Sequence, residues 1–345
     1  MLYLELLLFG QYRSELDSPA VSWYASPMDA KNQIPDSLLE AVPFFSDPDN
    51  CLDFMVQLRW PSGITCPRCG EKEPSFLTTR RLWKCKSCKK QFSAKVGTIF
   101  EDSPIPLEKW LPALWLVVNC KNGISSYEMG RALKVSQRSS WFMTHRIRLA
   151  MQTGSFGKLA GEVEVDETYI GGKARNMHKG KRQLKITGTG GMGKVVVMGL
   201  LERHGDDGHS TVEAKVVPNV RRKTLAPEVR QRVEQGSEVF TDALRSYDDL
   251  GAEYVHQVID HAEKYAEGKI HTNGLENFWS LLKRAIKGTY VSVEPFHLFR
   301  YLDEQTFRFN ARKMTDGQRF LRAAQGIIGK RVTYKDLTGA EVPAT

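Results

Sequence analysis

The sequence predicts an α/β fold in which a sheet-based domain follows a small cysteine-rich module and a helical region. Three observations predict it. Four of the six cysteines stand as two Cys-x-x-Cys pairs, the stretch from Leu107 to Met151 has a helical period interrupted by turns, and beyond Gly161 the period changes to two. With 345 residues and 41% hydrophobic content the chain can bury a large core, in about two or three domains. Its 49 Lys and Arg against 40 Asp and Glu leave a net charge of +9, which favours a polyanionic partner over an acidic small molecule. No run approaches the roughly 18 apolar residues that span a bilayer. Met1 to Phe9 is too short for a secretory signal and lacks its basic flank and cleavage site, so no membrane role and a cytoplasmic location are expected.

Residues 1–35 show no sustained period and read as a disordered extension, of which the first 27 are dispensable. Residues 36–62 read as a short helical lead-in, with helices over Asp36 to Val42 and Asp49 to Leu58. In residues 63–100, Cys66 and Cys69 are followed by fifteen residues from Gly70 to Lys84, then by Cys85 and Cys88. Two such pairs supply four thiolates for a tetrahedral Zn²⁺, each pair bending as a knuckle so that both sulfurs point at one ion. Phe76 to Thr79, Leu82 to Cys85 and Gln91 to Ser93 then read as the strands of a zinc ribbon, stabilised largely by the metal. A redox pair would need a surrounding βαβ pattern, which is missing. The closed Cys₄ set leaves no position for a substrate, so this zinc is structural. Arg80, Arg81, Lys84, Lys86, Lys89, Lys90 and Lys95 suit phosphate contacts or simply solvate the surface. Cys51 and Cys120 stand alone and read as small buried apolar side chains.

Residues 104–153 read as a helix-turn-helix region. Leu107 to Cys120 is amphipathic and Gly123 breaks it; Ser125 to Leu133 and Gln137 to Met151 then flank a Lys134-Val135-Ser136 turn, with Ser136 as N-cap. Gln137, Arg138 and Ser139, at the polar start of the second helix, are where a recognition helix touches bases or phosphates; most helical hairpins do not bind DNA.

Residues 160–315 read as a sheet domain. Glu162 to Ile170 alternates, with Val163 and Val165 on one face and Glu164, Asp166 and Thr168 on the other. The basic, Gly-rich stretch from Gly171 to Gly193 reads as a mobile hairpin or loop; its last residues lack the spacing of a phosphate loop. Lys194 to Arg203 and Ser210 to Val217 are strands, Lys223 to Gln235 a helix, and Glu238 to Thr241 a strand ending at Asp242. Ala243 to Leu250, Tyr254 to Val258 and a further helix complete a βββαβαβα order, that of an RNase H-like fold. In that last helix Asn273, Glu276, Ser280, Lys283 and Lys287 fall on one side, and Leu275, Phe278, Leu281, Leu282 and Ala285 on the other. Residues 316–345 read as a C-terminal tail.

Three acids stand out by position: Asp166 on the first strand, Asp242 at the end of the fourth, and Glu276 on the late helix. Converging carboxylates repel one another unless cations neutralise them, and two Mg²⁺ or Mn²⁺ ions would do so. In such a site one metal activates a water or 3′-OH nucleophile and the other stabilises the leaving oxygen of a phosphodiester. Taken singly, Asp242 reads equally well as an N-cap, Asp166 as a strand-edge charge and Glu276 as a solvated residue.

The CPRCG…KCKSC pairs, the VEVDETYIGG run from Val163 to Gly172, Phe240-Thr241-Asp242 and HTNGLENFWSLLKR from His271 to Arg284 together resemble zinc-ribbon DDE transposases of bacterial insertion sequences, the ISXO-like group. The resemblance covers roughly residues 40–315. It implies an enzyme that binds terminal inverted repeats on double-stranded DNA, cleaves there and joins the freed 3′ ends to target DNA. It implies Asp166, Asp242 and Glu276 as catalytic, metal-holding acids and Lys283 as the basic residue near the scissile phosphate, with Arg284 and Lys287 beside it on DNA. Asn273, one turn before Glu276, is the alternative third ligand, since an amide oxygen is also a hard donor. His271 reads either as a phosphate contact or as the helix entry, and Trp279 as packed against the sheet. In the closing helix from Phe296 to Arg312 the aromatics read as core and Arg300, Arg308 and Arg312 as tracking the DNA backbone. Pairing two DNA ends implies a homo-oligomer on DNA, associated with the nucleoid when bound. The alternative is a catalytically inactive, domesticated DNA-binding regulator; a nuclease of RNA:DNA hybrids shares the metal chemistry but leaves the ribbon and the helix-turn-helix unexplained.

Overall fold

A computed structural model describes residues 34–152, 157–172, 177–186, 193–205, 208–242, 244–259 and 271–338. Residues 1–33 of the N-terminal extension, and parts of the Gly-rich stretch, lie outside them. Among the described residues no helix is long and apolar enough to cross a membrane.

Two helices open the described chain, α1 (Leu38–Ser46) and α2 (Pro48–Arg59), capped by the side chains of Ser37 and Asp47. Strands β1 (Ser75–Leu77), β2 (Leu82–Lys84) and β3 (Gln91–Phe92) form a small antiparallel sheet, with Trp83 opposite both Phe76 and Phe92. Trp60, at the end of α2, packs on Trp83 and Phe92 at 5.6 and 6.0 Å between ring centroids, so three aromatics supply the core that this module otherwise lacks.

Helix α3 (Leu107–Asn119) is nearly all apolar and is buried on every side that carries Trp110, Leu111, Leu114, Trp115 and Val118. Helices α4 (Ser126–Leu133) and α5 (Gln137–Ala150) pack beside it. Ser125 and Glu128 form a reciprocal capping box on α4, and Lys134 turns the chain in the left-handed region at φ 51°. The Ser136 hydroxyl accepts from the Ser139 N–H at 3.1 Å, so the expected cap is present. Gly130 makes the turn possible: a Cβ there would stand 3.1 Å from the Val135 carbonyl oxygen.

The large sheet contains β4 (Glu162–Ile170), β5 (Val195–Glu202), β6 (Thr211–Val217), β7 (Glu238–Asp242) and β8 (Val255–Ile259), in the order β6-β5-β4-β7-β8. The first three are antiparallel neighbours, while β7 and β8 run parallel to β4. One face carries Val163, Val165, Met198, Leu200 and Val239 against α7 (Arg222–Arg232). The other carries Ile170, Val197, Leu201 and Val212 against α8 (Asn273–Arg284) and α9 (Leu298–Asn310). Helices therefore cover both faces of a mixed sheet.

Three expectations are corrected. Lys179–Lys185, inside the stretch read as a hairpin or loop, is a short helix, α6; Lys, Arg, Gln and Leu follow one another there without a β-branched residue. The segment read as a helix over residues 243–250 does not form an α-helix in its described part, residues 244–250. Two 3₁₀ turns, Arg245–Tyr247 and Leu250–Ala252, take its place. Tyr247 and Leu250 are both fully buried, and a repeat of three residues stacks them on one side. The tail from residue 316 contains α10 (Asp316–Gln325) and a short α11 (Tyr334–Thr338). Phe320, Ala323, Ala324 and Ile327 recur at helical spacing and are fully buried, and Phe320 packs on Phe45 and Phe54 at 5.0 and 5.4 Å. Gly326 permits this docking, since a Cβ would fall 2.1 Å from the Ala150 carbonyl oxygen.

Candidate active site and metal centre

The two knuckles of the small sheet are built alike. The Gly70 N–H donates to the Cys66 carbonyl and the Cys66 N–H to that of Glu71, while the Cys85 N–H donates to the carbonyl of Lys90. Each knuckle is followed by a residue at positive φ, Gly70 at 72° and Lys89 at 59°. The result brings Cys66 and Cys88 to 3.8 Å and Cys69 and Cys85 to 3.5 Å between sulfurs, with all four within 4.8 Å. A tetrahedron with Zn–S of about 2.3 Å has an edge of about 3.8 Å, so the spacing fits zinc. Among the described residues no comparably tight cluster of His, Cys, Asp or Glu accompanies it. Cys51 is buried as expected, and burial pushes its thiol up to about 12; Cys120 is only partly buried.

A second site grows from strand register. Glu164 on β4 pairs with Phe240 on the parallel strand β7, and two residues further on each strand stand Asp166 and Asp242. In-register residues of parallel neighbours share a face, here the one opposite Val163, Val165 and Val239. That face receives α8, whose inward side is Leu275, Phe278, Trp279 and Leu282, all buried. Its outward side turns Glu276, Ser280 and Lys283 into an open cleft of about 450 Å³, lined also by Asp166, Glu167, Thr168 and Trp279. Asn273, one turn earlier, is exposed and does not line it.

The entry of α8 is fixed by a buried acid that the sequence left without a role. Glu164 is 1% exposed, and its carboxylate accepts from the Leu275 N–H at 2.9 Å and from Arg203 Nε at 2.7 Å. Arg203 in turn donates to the His271 carbonyl, lies 2.8 Å from His271 Nδ1, and covers the Phe240 ring at 4.3 Å. His271 is thus held by Arg203 next to the start of α8, whose N-cap is Thr272 without a side-chain cap bond, so the expected capping role is not seen. Gly274 is needed beside this carboxylate, because a Cβ would stand 2.9 Å from Glu164 Oε2. The signal in the sequence was an acid on the inward face of a core strand, which must find a partner.

The cleft is short of positive charge. Burial raises the Asp166 carboxyl to about 6, with Asp242 and Glu276 adding repulsion, while hydrogen bonds from the Trp279 indole and the Glu167 N–H oppose the rise. Glu167, to which the sequence pattern gives no role, is pushed up to about 9 by burial and by Asp166 and Asp242. Burial lowers Lys283, Lys287 and Lys194 add to this, and Asp166 opposes it. Carboxylates clustered beside a lysine can take a hard cation and, next to it, an anion.

The remaining expected contacts divide. Gln137 and Arg138 are exposed at the start of α5, Ser139 is half-buried there, and Arg284 and Lys287 are exposed beyond Lys283. Arg300 and Arg308, read as tracking DNA, are each only 8% exposed; Arg308 pairs with the buried Glu304. Arg312 donates to the carbonyls of Ser210 and Phe309.

Residues 158–310 match the family described as the ISXO2-like transposase domain, and residues 46–91 match the transposase zinc-ribbon domain. An uncharacterized protein in transposable element ISH50 of Halobacterium salinarum is 27% identical over 244 residues, covering 67% of this chain and 81% of that protein. An uncharacterized transposase-like protein of Haemophilus influenzae is 41% identical over 96 residues, 28% of this chain and 77% of that protein. The ribbon, the sheet domain behind it and these relatives together assign the chain to the ISXO2-like transposase family.

Proposed function

We propose that this chain is the transposase of an insertion sequence, binding the terminal inverted repeats and catalysing metal-dependent DNA cleavage and strand transfer. The observation that supports the proposal most is the cleft that Asp166, Glu276 and Lys283 line together, with Asp242 ending the parallel strand beside Asp166. The strand order, with β4 central and antiparallel β5 and β6 on one side, supports reading the sheet as an RNase H-like catalytic domain over residues 160–315.

Asp166, Asp242 and Glu276 offer hard oxygen donors that suit Mg²⁺ or Mn²⁺, and Asp166's rise to about 6 reflects burial together with the unneutralised acids beside it. A pair of such ions, when bound, activates the attacking oxygen and stabilises the leaving one. The chain's own residues orient the reaction. Lys283 holds a phosphate of the DNA next to the acids, and Arg284 and Lys287 extend that contact along the backbone. Gln137, Arg138 and Ser139 read the repeat from the helix-turn-helix, and the zinc ribbon adds basic phosphate contacts. Two catalytic units are required to pair two ends, so the active species is a homo-oligomer on DNA.

The test is to incubate the purified chain and Mg²⁺ with a labelled duplex carrying the end of its element. Nicked and joined products support the proposal. Specific binding without either product assigns the chain instead to a regulator.

A further inference from the structure

Trp279 has two sides that serve different ends. Its ring is buried at 4% exposure against Phe278 and the sheet, as a core residue of α8. Its indole N–H leaves the core and donates to Asp166 Oδ2 at 2.9 Å, across 113 residues of sequence. The other oxygen, Oδ1, accepts from the N–H of Glu167 at 2.8 Å. Each oxygen of Asp166 therefore has one fixed donor, and the carboxylate cannot rotate about its own axis without breaking one of them.

The sheet makes room for this contact. Gly199 on β5 stands directly across the antiparallel ladder from Asp166, and a Cβ at Gly199 would lie 2.6 Å and 2.7 Å from ring atoms of Trp279. It would also lie 2.9 Å from Leu275. Here φ is ordinary, so space is what the position requires. A residue with any side chain at 199 would lift the indole away from Asp166. At the entry of the same helix Glu164 accepts from Leu275, so β4 is tied to α8 at two points one turn apart. The cleft acid Glu276 lies between them on the helix.

We propose that Trp279 is a positioning residue for the metal-holding carboxylate: its indole N–H holds Asp166 in the orientation that faces Glu276, in a slot opened by Gly199. This rests on the reading of Asp166 as a metal-holding acid. Groups that orient metal-binding side chains typically change metal affinity or activity by about 10–100-fold when removed. Trp279→Phe deletes the donor and also shrinks a buried ring, so it costs some core packing as well. It raises the Mn²⁺ concentration for half-saturation of the zinc-loaded full chain by about 10–100-fold, in addition to the lower thermal transition that the smaller ring produces. A purely packing role would move the thermal transition and leave Mn²⁺ half-saturation unchanged.

The experiment is a Mn²⁺ titration followed by electron paramagnetic resonance on wild type, Trp279→Phe and Asp166→Ala. Loss of binding in Asp166→Ala with a shifted midpoint in Trp279→Phe is the expected pair of results. Loss in Asp166→Ala with a wild-type midpoint in Trp279→Phe overturns the positioning role and leaves the acid's role standing. Wild-type binding by Asp166→Ala overturns the reading of that acid, and the positioning role with it. A measurement on the unaltered chain does not depend on how the variants fold. Of its seven tryptophan indole ¹⁵N–¹H signals, one moves on adding Mg²⁺; seven stationary signals overturn the proposal.

Discussion

Replacing Glu304 by glutamine removes the one carboxylate shared by two buried arginines. Glu304 lies on α9 with 0% exposure; Arg148 of α5 donates to it at 2.6 Å, and Arg308 and the Tyr290 hydroxyl hold its other oxygen. Burial alone would raise its pKa, but the charges of Arg308 and Arg148 and the hydrogen bonds outweigh burial and hold it at about 2, from an ordinary 4.5. That difference corresponds to about 3 kcal/mol, and removing one partner of a buried pair costs about 3–5 kcal/mol by comparison with other proteins. The variant should therefore lose roughly 3–5 kcal/mol, a large share of the 5–15 kcal/mol that holds most domains together. The sign with pH follows from the lowered value. The stabilisation is complete above about pH 4.5 and is lost as pH falls through about 2, so the gap between wild type and variant narrows by about 1 kcal/mol at pH 3.5. Urea unfolding at pH 7 and pH 3.5 measures both quantities. A gap below about 1 kcal/mol at pH 7, or one that widens in acid, would refute the reasoning.

Three other outcomes follow from the same structure. Chelation of zinc, or Cys85→Ser, should unfold the ribbon and weaken binding to the element's end while the large sheet keeps its circular dichroism; joint loss of both signals contradicts a separable ribbon. Gly326→Ala forces a Cβ against the Ala150 carbonyl and should destabilise the chain by at least about 1–3 kcal/mol in thermal unfolding, whereas an unchanged transition shows that α10 can shift. Arg138→Ala should reduce affinity for the element's end by about 1–3 kcal/mol with little effect on unrelated duplex, and an equal loss on both would make it a phosphate contact.

What the sequence disclosed was local or periodic. The cysteine knuckles close within four residues, so their spacing alone points to the metal. Strand β4 and the two sides of α8 follow from periods of two and 3.6, so spacing puts Asp166 on the polar face of β4 and Glu276 and Lys283 on one side of α8, while their roles come from the family resemblance. What stayed hidden depends on partners far apart in the chain. Glu164 meets Arg203 across 39 residues and the Leu275 N–H across 111, and no local pattern announces either. Arg308 looked like a DNA contact because Arg on a late helix usually faces solvent, yet Glu304 one turn earlier turns it inward. The 3₁₀ turns after β7 and the docked helix α10 are likewise set by burial of Tyr247, Leu250 and Phe320 in surfaces built by distant segments.

The central claim is that Asp166, Asp242 and Glu276 act together on DNA. Strand transfer by the full chain with Mg²⁺, comparing wild type with Asp242→Ala, Glu276→Ala and Asn273→Ala, tests it most directly. The account predicts that joined product disappears in the two acid variants and persists in Asn273→Ala. Joined product that survives Glu276→Ala and is lost in Asn273→Ala would contradict the triad and move the third position one helical turn toward the start of α8.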